Sequence, residues 1–200
     1  GLIGMSPASA QAPRPREGKD YLVLGKQAPT DAPTGKVEVV EFFWYSCPHC
    51  NAFEPTLEAW VKSLPRDVSF KRVPVAFRDD FAPQQRLFYA LEALNKVDEL
   101  HGRVFRAIHA ERQSLTSDDA IIAWAEKQGL DKAKFTEAFR SFSVASKLRR
   151  ATQLQDAYKV EGVPALGIAG RYYTDGSLAG SMERALAVTD VLLADARKSR

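Results

Sequence analysis

The segment that most constrains the fold holds the only two cysteines of this 200-residue chain, Cys47 and Cys50. An apolar run, VEVVEFFWY at residues 37–45, precedes them and is rich in the β-branched and aromatic residues typical of a buried strand. After the first cysteine, apolar residues recur at helical spacing, and Pro48 suits a first helical turn. The sequence therefore predicts a strand-to-helix junction with Cys47 at the start of the helix.

A helix start is a favourable place for a thiolate. Unpaired backbone N–H groups and the positive end of the helix dipole stabilise the charged form of the Cys47 sulfur, and His49 adds to this when it is protonated or donates a hydrogen bond. A lowered pKa makes Cys47 both a ready nucleophile and a good leaving group in disulfide exchange. We expect Cys47 to be exposed, and Cys50, one turn further along, to be shielded and to have the higher pKa.

A Cys-x-x-Cys pair has two other interpretations. A closed zinc site needs about four ligands, and outside this motif the chain offers no cysteine and only two histidines, His101 and His109, which we expect on helix surfaces. A structural disulfide between the cysteines would close a very short loop and would therefore remove little chain entropy. Redox chemistry is the favoured interpretation, and the other two remain open.

Two distant motifs together resemble the DsbA family. The first is Glu41-Phe42-Phe43 followed by Cys47-Pro48-His49-Cys50, and the second is Gly162-Val163-Pro164-Ala165. Members of this family are periplasmic thiol:disulfide oxidoreductases that have a thioredoxin fold with a helical insertion. The resemblance extends from about residue 20 to the end of the chain, and Cys-Pro-His-Cys distinguishes it from the Cys-Gly-Pro-Cys of thioredoxins.

The resemblance implies roles for residues outside the cysteine pair. Pro164 matches the proline that is cis in thioredoxin folds and faces the cysteines, so that backbone groups of Val163 are available to pair with an extended substrate. Glu41 matches a buried acid below the active site, and Lys71 on the next strand resembles its partner; both would handle protons near Cys50. The alternatives are a trans proline at a strand edge and an outward-facing glutamate.

The order of predicted elements fits a thioredoxin-like α/β fold with an inserted helical subdomain. The strand at residues 37–45 and one at 68–75 are expected to be parallel, because a right-handed helical crossover joins them. Ser143 is predicted to cap a helix that follows the insertion, and Ser181 to cap the last helix. The predicted division is a disordered leader or signal-peptide remnant at 1–20, a thioredoxin-like domain at 21–78 and 143–200, and an inserted helical subdomain at 79–142.

The first ten residues end in Ala8-Ser9-Ala10, a pattern that resembles a signal-peptidase site. An ordinary disordered tail explains the same residues equally well. Residues 11–20 are rich in Pro, Arg and Gln and are predicted to be mobile.

The resemblance implies a disulfide oxidase. Such an enzyme donates its Cys47–Cys50 disulfide to unfolded or folding secreted proteins with cysteine thiols, through a mixed disulfide, in the periplasm. A DsbB-like quinone-linked membrane oxidase would reoxidise it, and we expect a monomer with no bound cofactor and no metal. A formal net charge of +3, without a basic stripe, disfavours nucleic acid as a partner. A reductase or isomerase of the same fold and a non-catalytic binding module remain alternatives.

Overall fold

The structure, a computed structural model, describes residues 13–199 of the chain. Five strands of this part form one mixed sheet; they are β1 (Leu22–Val23), β2 (Val37–Phe43), β3 (Val68–Pro74), β4 (Ala165–Ile168) and β5 (Tyr172–Asp175). Their order across the sheet is β1-β5-β4-β2-β3. This is the thioredoxin-like arrangement predicted from the sequence, with one extra strand at the edge.

Strand β2 is the centre of the sheet, and all seven of its residues are buried. It pairs in parallel with β3, as predicted, and antiparallel with β4. A strand buried on both faces needs the nearly continuous apolar run that this segment has. The carboxyl end of β2 is therefore held rigidly within the sheet, and the cysteine motif follows it directly in the chain.

Eight helices surround the sheet in the described residues. They are α1 (Pro48–Lys62), α2 (Ala82–Ala93), α3 (Val97–His109), α4 (Asp118–Lys127), α5 (Lys132–Phe139), α6 (Phe142–Ala157), α7 (Gly176–Ala179) and α8 (Met182–Lys198), with a 3-10 turn at Asp79–Phe81. None of the helices within residues 13–199 is both long and apolar enough to cross a membrane. Helices α2 to α5 form the insertion between β3 and the second half of the sheet.

The predicted cap at Ser143 is wrong by two residues. The side chain of Ser141 accepts a hydrogen bond from the Val144 N–H, and α6 begins at Phe142. Phe142 has the apolar character and the spacing of a residue that would continue the buried face of α5, but its side chain is 82% exposed and it is the first residue of α6. The cap at Ser181 is confirmed, since its side chain accepts a hydrogen bond from the Arg184 N–H.

Part of the predicted leader contacts the folded body. The Arg14 guanidinium forms an ion pair with Asp195 of α8 at 3.0 Å, and the Thr174 hydroxyl of β5 donates a hydrogen bond to the Asp20 carbonyl at 2.7 Å. The Ala8-Ser9-Ala10 pattern lies outside the described residues. The domain boundaries at residues 20, 78 and 142 stay a prediction.

An aromatic cluster joins the insertion to the end of β2. The Phe43 ring packs edge-on against the rings of Tyr45, Phe88 and His101, with centroids 5.1–5.3 Å apart. Phe105 of α3 closes the cluster at 5.1 Å from Tyr45. The inserted helices α2 and α3 thus pack directly against the chain that leads into the cysteine motif.

Strand β4 is held against α6 by a close approach that only glycine permits. A Cβ added at Gly167 would lie 2.5 Å from a carbon of the Tyr158 ring, whose hydroxyl accepts a hydrogen bond from the Gly170 N–H. We expect Gly167→Ala to lower stability by about 1–3 kcal/mol, because the ring must move within a packed core. Denaturant melts measure this loss. Gly25→Ala is the matched control, since its added methyl group meets nothing within 4 Å, and an equal loss in both variants would contradict the argument.

Candidate active site

The backbone places Cys47 at the boundary between the end of β2 and α1. Cys47 is the N-cap residue, with an extended conformation (φ −80°, ψ 118°), and Pro48 occupies the first helical turn as predicted. The Cys47 N–H donates a hydrogen bond to the Trp44 carbonyl at 3.0 Å, and the Cys47 carbonyl accepts one from Asn51. The Cys47 side chain makes no capping hydrogen bond, so the first-turn N–H groups act on its sulfur at longer range.

The two cysteines are present as free thiols and differ in exposure. Cys47 is 7% exposed and Cys50 is 0% exposed. The prediction of a shielded Cys50 is correct, whereas Cys47 is more buried than predicted. One group that covers it is Val163, whose carbonyl oxygen lies 3.7 Å from the Cys47 Sγ.

The environment shifts the pKa values of the two thiols in opposite directions. Hydrogen bonding from the Cys50 thiol lowers the pKa of Cys47 to about 6 against the opposing effect of burial, and the N–H groups of Cys50 and His49 and the charge of His49 lower it further. Burial raises the pKa of the Cys50 thiol far above its usual range, and the neighbouring Cys47 and Glu41 raise it more. At neutral pH the pair is therefore a thiolate at Cys47 beside a neutral thiol at Cys50.

The second motif lies against the first, although more than a hundred residues separate them. The Val163–Pro164 peptide bond is cis, as the resemblance implied. A groove of about 330 Å³ runs between His49 on α1, the 162–164 turn and the beginnings of α7 and α8. His49 and Pro164 both line this groove, together with Val163, whose carbonyl oxygen lies 3.7 Å from the Cys47 sulfur.

Glu41 is buried below the cysteines, as predicted, and is 1% exposed. Burial raises the pKa of its carboxyl well above the usual range, with the Glu54 carboxylate raising it further and Arg72 opposing them. Neither carboxyl oxygen has a hydrogen-bond partner among the described residues. These surroundings favour a protonated Glu41 at neutral pH.

The predicted partnership between Glu41 and Lys71 is wrong. In the register of β2 and β3, Glu41 lies opposite Arg72, and Lys71 lies opposite Val40. Neighbouring residues of a strand point to opposite faces of the sheet, so Lys71 turns away from Glu41. Its Nζ instead contacts Glu38 at 3.3 Å and Asp31 at 2.9 Å, and the Arg72 Nε lies 3.7 Å from Glu41.

A buried polar cluster behind Cys50 was missed in the sequence. The Arg72 Nη2 donates to Glu54 Oε1 at 2.6 Å, and His101 Nε2 lies 3.7 Å from Glu54 Oε2. His101 is 4% exposed, so the prediction of a surface histidine is wrong. Glu54 follows Cys50 by four residues on α1, a spacing that puts both on one helix face and that is a signal available in the sequence.

Fold and site together define a class of protein: a thioredoxin-like domain whose helix start holds an acidic cysteine, a buried second cysteine and a facing cis-proline. Residues 38–186 match the family model for the DSBA-like thioredoxin domain. The chain belongs to this family and is a thiol:disulfide oxidoreductase.

Named relatives match over nearly the whole chain. Thiol:disulfide interchange protein DsbA of Burkholderia cepacia is 44% identical, over 96% of this chain and 89% of the relative. The protein of the same name from Pseudomonas aeruginosa is 38% identical, over 96% and 89%. A crystal structure of Pseudomonas aeruginosa DsbA has a TM-score of 0.87 at 38% identity, and the match covers 92% of this chain and 95% of that one.

His49 lowers the Cys47 pKa through both its backbone N–H and its side-chain charge, and two variants separate these effects. His49→Ala removes only the side chain, whereas His49→Pro removes the N–H as well. We expect the pKa of Cys47 to rise from about 6 in both variants, and to rise further in the proline variant. Thiolate absorbance against pH measures both shifts. An unchanged titration in the proline variant would remove His49 from the acidity of Cys47.

Proposed function

We propose that this protein donates its Cys47–Cys50 disulfide to unfolded or folding exported proteins. The observation that carries the proposal is the pair of thiol pKa values pushed apart, with the lower one at about 6 on the less buried sulfur. A stabilised Cys47 thiolate favours the reduced enzyme, so the enzyme's disulfide is readily passed to a substrate. A non-catalytic binding module has no need of such an acidic thiol.

The proposed reaction has two exchange steps. A substrate thiolate attacks the Cys47 sulfur of the oxidised enzyme, the enzyme disulfide breaks, and the Cys50 sulfur leaves and takes up a proton. The second substrate thiol, deprotonated, then attacks the substrate sulfur of the mixed disulfide and releases Cys47 as a thiolate. Two electrons pass to the enzyme, and the substrate leaves with a new disulfide.

Substrate binding is assigned to the groove beside Cys47. The backbone of Val163 is available for strand-like pairing with an extended peptide, and its carbonyl contacts the Cys47 sulfur in the reduced form. Pro164 and His49 form the adjoining walls. Contact through the backbone, rather than through a specific side-chain pocket, suits an enzyme that acts on many unfolded sequences.

Glu41 is the proposed proton donor and acceptor for Cys50. Burial keeps its carboxyl protonated at neutral pH, and the charge of Cys47 contributes to its raised pKa, which reflects their proximity. Lys71 has no part in this step, since its Nζ is bound by Glu38 and Asp31.

The cellular setting is part of the proposal. We place the protein in the periplasm, because an enzyme that is reduced at each turnover needs an oxidising compartment. We also propose that it works as a monomer. A DsbB-like quinone-linked membrane oxidase would restore the disulfide, with Cys47 attacking the partner's disulfide and Cys50 resolving the product. The presence of two cysteines and no third agrees with such a compartment.

The division of labour between the cysteines gives a direct test. An unfolded protein whose thiols carry glutathione is mixed with reduced Cys50→Ala or Cys47→Ala. The Cys47 thiolate displaces glutathione and forms an enzyme–substrate disulfide, which Cys50→Ala is unable to resolve, so this variant should accumulate a high-mass species on a non-reducing gel. Cys47→Ala retains only the buried, high-pKa thiol and should accumulate none. Equal trapping by both variants would refute the assignment.

Linkage predicts how the redox state changes stability. The Cys47 pKa is about 6 in the folded dithiol and near the ordinary 9 when unfolded. A lowered folded pKa stabilises the dithiol fully above the unfolded value, and this contribution is lost as the pH falls through about 6. We therefore expect the reduced protein to melt at higher denaturant than the oxidised protein at pH 8, as an oxidase requires, and the difference to narrow towards pH 5.5.

The control for this experiment is the reduced Cys47→Ser variant, which lacks the acidic thiol. Its stability relative to the oxidised wild type should not change in the same pH window. An oxidised form that is the more stable at pH 8 would instead favour a reductase.

A further inference from the structure

The cysteine motif has a second flank, on the side of β2 opposite the groove. Ala165, the first residue of β4, lies opposite Phe42, and Pro74, the last residue of β3, lies opposite Phe43. The groove adjoins the turn that leads into β4. The residues that follow β3 therefore lie on the other side of the end of β2, and a substrate chain that continues from the groove past Cys47 runs towards them.

Three aromatic rings connect the cysteine motif to this flank. Trp44 lies three residues before Cys47, and its carbonyl accepts a hydrogen bond from the Cys47 N–H at 3.0 Å. The Trp44 ring stacks on the Phe81 ring, with centroids 4.1 Å apart and an interplanar angle of 6°. The Phe77 ring meets Phe81 edge-on at 6.0 Å and is exposed. The rings form a continuous apolar path from the motif to the segment after β3.

A pocket of about 520 Å³ lies at the far end of these rings. Three of its lining residues are arginines: Arg78 after β3, Arg86 of α2 and Arg149 of α6. The one acidic lining residue is Asp79. Four apolar residues complete most of the wall: Ala76, Phe77, Ala82 and Leu148. We call it the arginine pocket, and it shares no lining residue with the groove.

Two of the three arginines have no carboxylate partner within residues 13–199. Arg86 forms no ion pair there, and the Arg149 guanidinium donates a hydrogen bond to the Ser146 hydroxyl at 2.9 Å. The guanidinium carbon of Arg149 also lies 5.7 Å from the centre of the exposed Phe142 ring. Neither contact neutralises the charge. A guanidinium group presents planar N–H donors that match a carboxylate, so both arginines are suited to bind one.

The third arginine is held loosely by an acid. The Arg78 guanidinium lies over the Phe81 ring at 4.7 Å and pairs with Asp80 at 3.1 Å. The side chains of this pair are 63% and 70% exposed, and such a pair contributes little to stability. Even when both Asp79 and Asp80 are counted, three cations face two carboxylates. The region therefore keeps a positive charge.

The floor of the arginine pocket is fixed by side-chain amides that bind the backbone. The Gln155 amide donates to the Ala76 carbonyl at 3.0 Å and accepts from the Ala76 N–H at 2.9 Å. Gln85 Nε2 donates to the Pro74 carbonyl at 3.0 Å. The segment after β3 is thus tied to α2 and α6, which leaves Phe77 exposed at a fixed position. A surface that is already ordered loses less entropy when a ligand binds.

We propose that the arginine pocket is a substrate subsite, which binds an acidic segment near the reacting cysteine of a folding protein. Aspartate or glutamate side chains of the substrate pair with Arg86 and Arg149, and an apolar side chain between them packs on Phe77. The segment belongs to the chain that reacts at Cys47, so the two contacts act together rather than in competition. The inference rests on the proposed donation of the disulfide to such chains.

The test compares how fast two reduced peptides open the disulfide of the oxidised enzyme, measured by quenched-flow alkylation. The peptides share one cysteine pair and differ about five residues away on either side, a distance that an extended chain spans at about 3.4 Å per residue. One carries two glutamates around a phenylalanine there, and the other carries glutamines. We expect the acidic peptide to react about 3- to 10-fold faster, because each exposed charge pair contributes a few-fold. In about 1 M salt, where the screening length is about 3 Å, the ratio should approach one.

Variants of the pocket show whether the preference arises there. Arg86→Gln combined with Arg149→Gln should bring the ratio close to one, and the two glutamate replacements should favour a peptide that carries lysines. The matched control is Lys36→Gln combined with Arg66→Gln, which removes two exposed cations just before the amino ends of β2 and β3, about 20 Å away along the strands. It should keep the wild-type ratio. Arg149→Gln alone replaces the double variant should that fail to melt cooperatively, and it should lower the ratio in part.

The outcomes separate this inference from the proposed function. A wild-type ratio near one, or the same fall in the pocket variant and its control, refutes the subsite and leaves disulfide donation intact. If neither peptide opens the disulfide, both proposals fail. If the pocket variant keeps the ratio but is reoxidised more slowly by a bacterial membrane fraction, the pocket serves the reoxidising partner. If it keeps the ratio and only the wild type sediments as a dimer, the pocket binds a second copy of the chain. Either result refutes the subsite.

Discussion

The structure depends on a difference in solvation between two sulfur atoms one helical turn apart. Cys47 lies where the helix leaves its first N–H groups unpaired, and its thiolate receives a hydrogen bond from the Cys50 thiol. Cys50 lies in the core, where an anion is costly. One thiol can therefore ionise only beside a partner that remains protonated. A redox centre of this kind needs a rigid strand to hold the turn and a buried environment for the second sulfur.

Strand β2 meets both needs because it is buried on both faces. Its apolar residues fix it between β3 and β4, and Glu41 is carried into the core by the strand's position. Burial raises the pKa of Glu41 and also separates it from solvent. The guanidinium of Arg72 is therefore the cation that both Glu41 and Glu54 contact. The electrostatic surroundings of Cys50 are thus a consequence of how the sheet is buried.

The local pattern and the family resemblance together predicted the fold, the cysteine chemistry and the buried Glu41, because each is carried by a pattern within one element or by a specific motif. Lys71 was assigned the wrong partner because strand register decides which face of the sheet a side chain occupies. Lys71 and Arg72 are adjacent basic residues, and the sequence alone does not show which of them lies opposite Glu41. His101 was expected at a surface because a histidine on a helix is usually exposed. Its burial depends on tertiary contacts with Phe43 and Tyr45, which the sequence does not show. Glu54 was detectable from its spacing to Cys50, whereas its contact with His101 was not.

The inserted helices support the chain that leads into the cysteine motif. Tyr45, two residues before Cys47, is held by α3 at two points: His109 Nε2 donates to its carbonyl at 2.8 Å, and His101 accepts from its hydroxyl at 2.7 Å. These contacts fix the turn in which Cys47 meets the start of α1. Because the Cys47 pKa depends on where the sulfur lies relative to Cys50 and the first-turn N–H groups, the insertion takes part in setting the acidity of a cysteine that lies outside it.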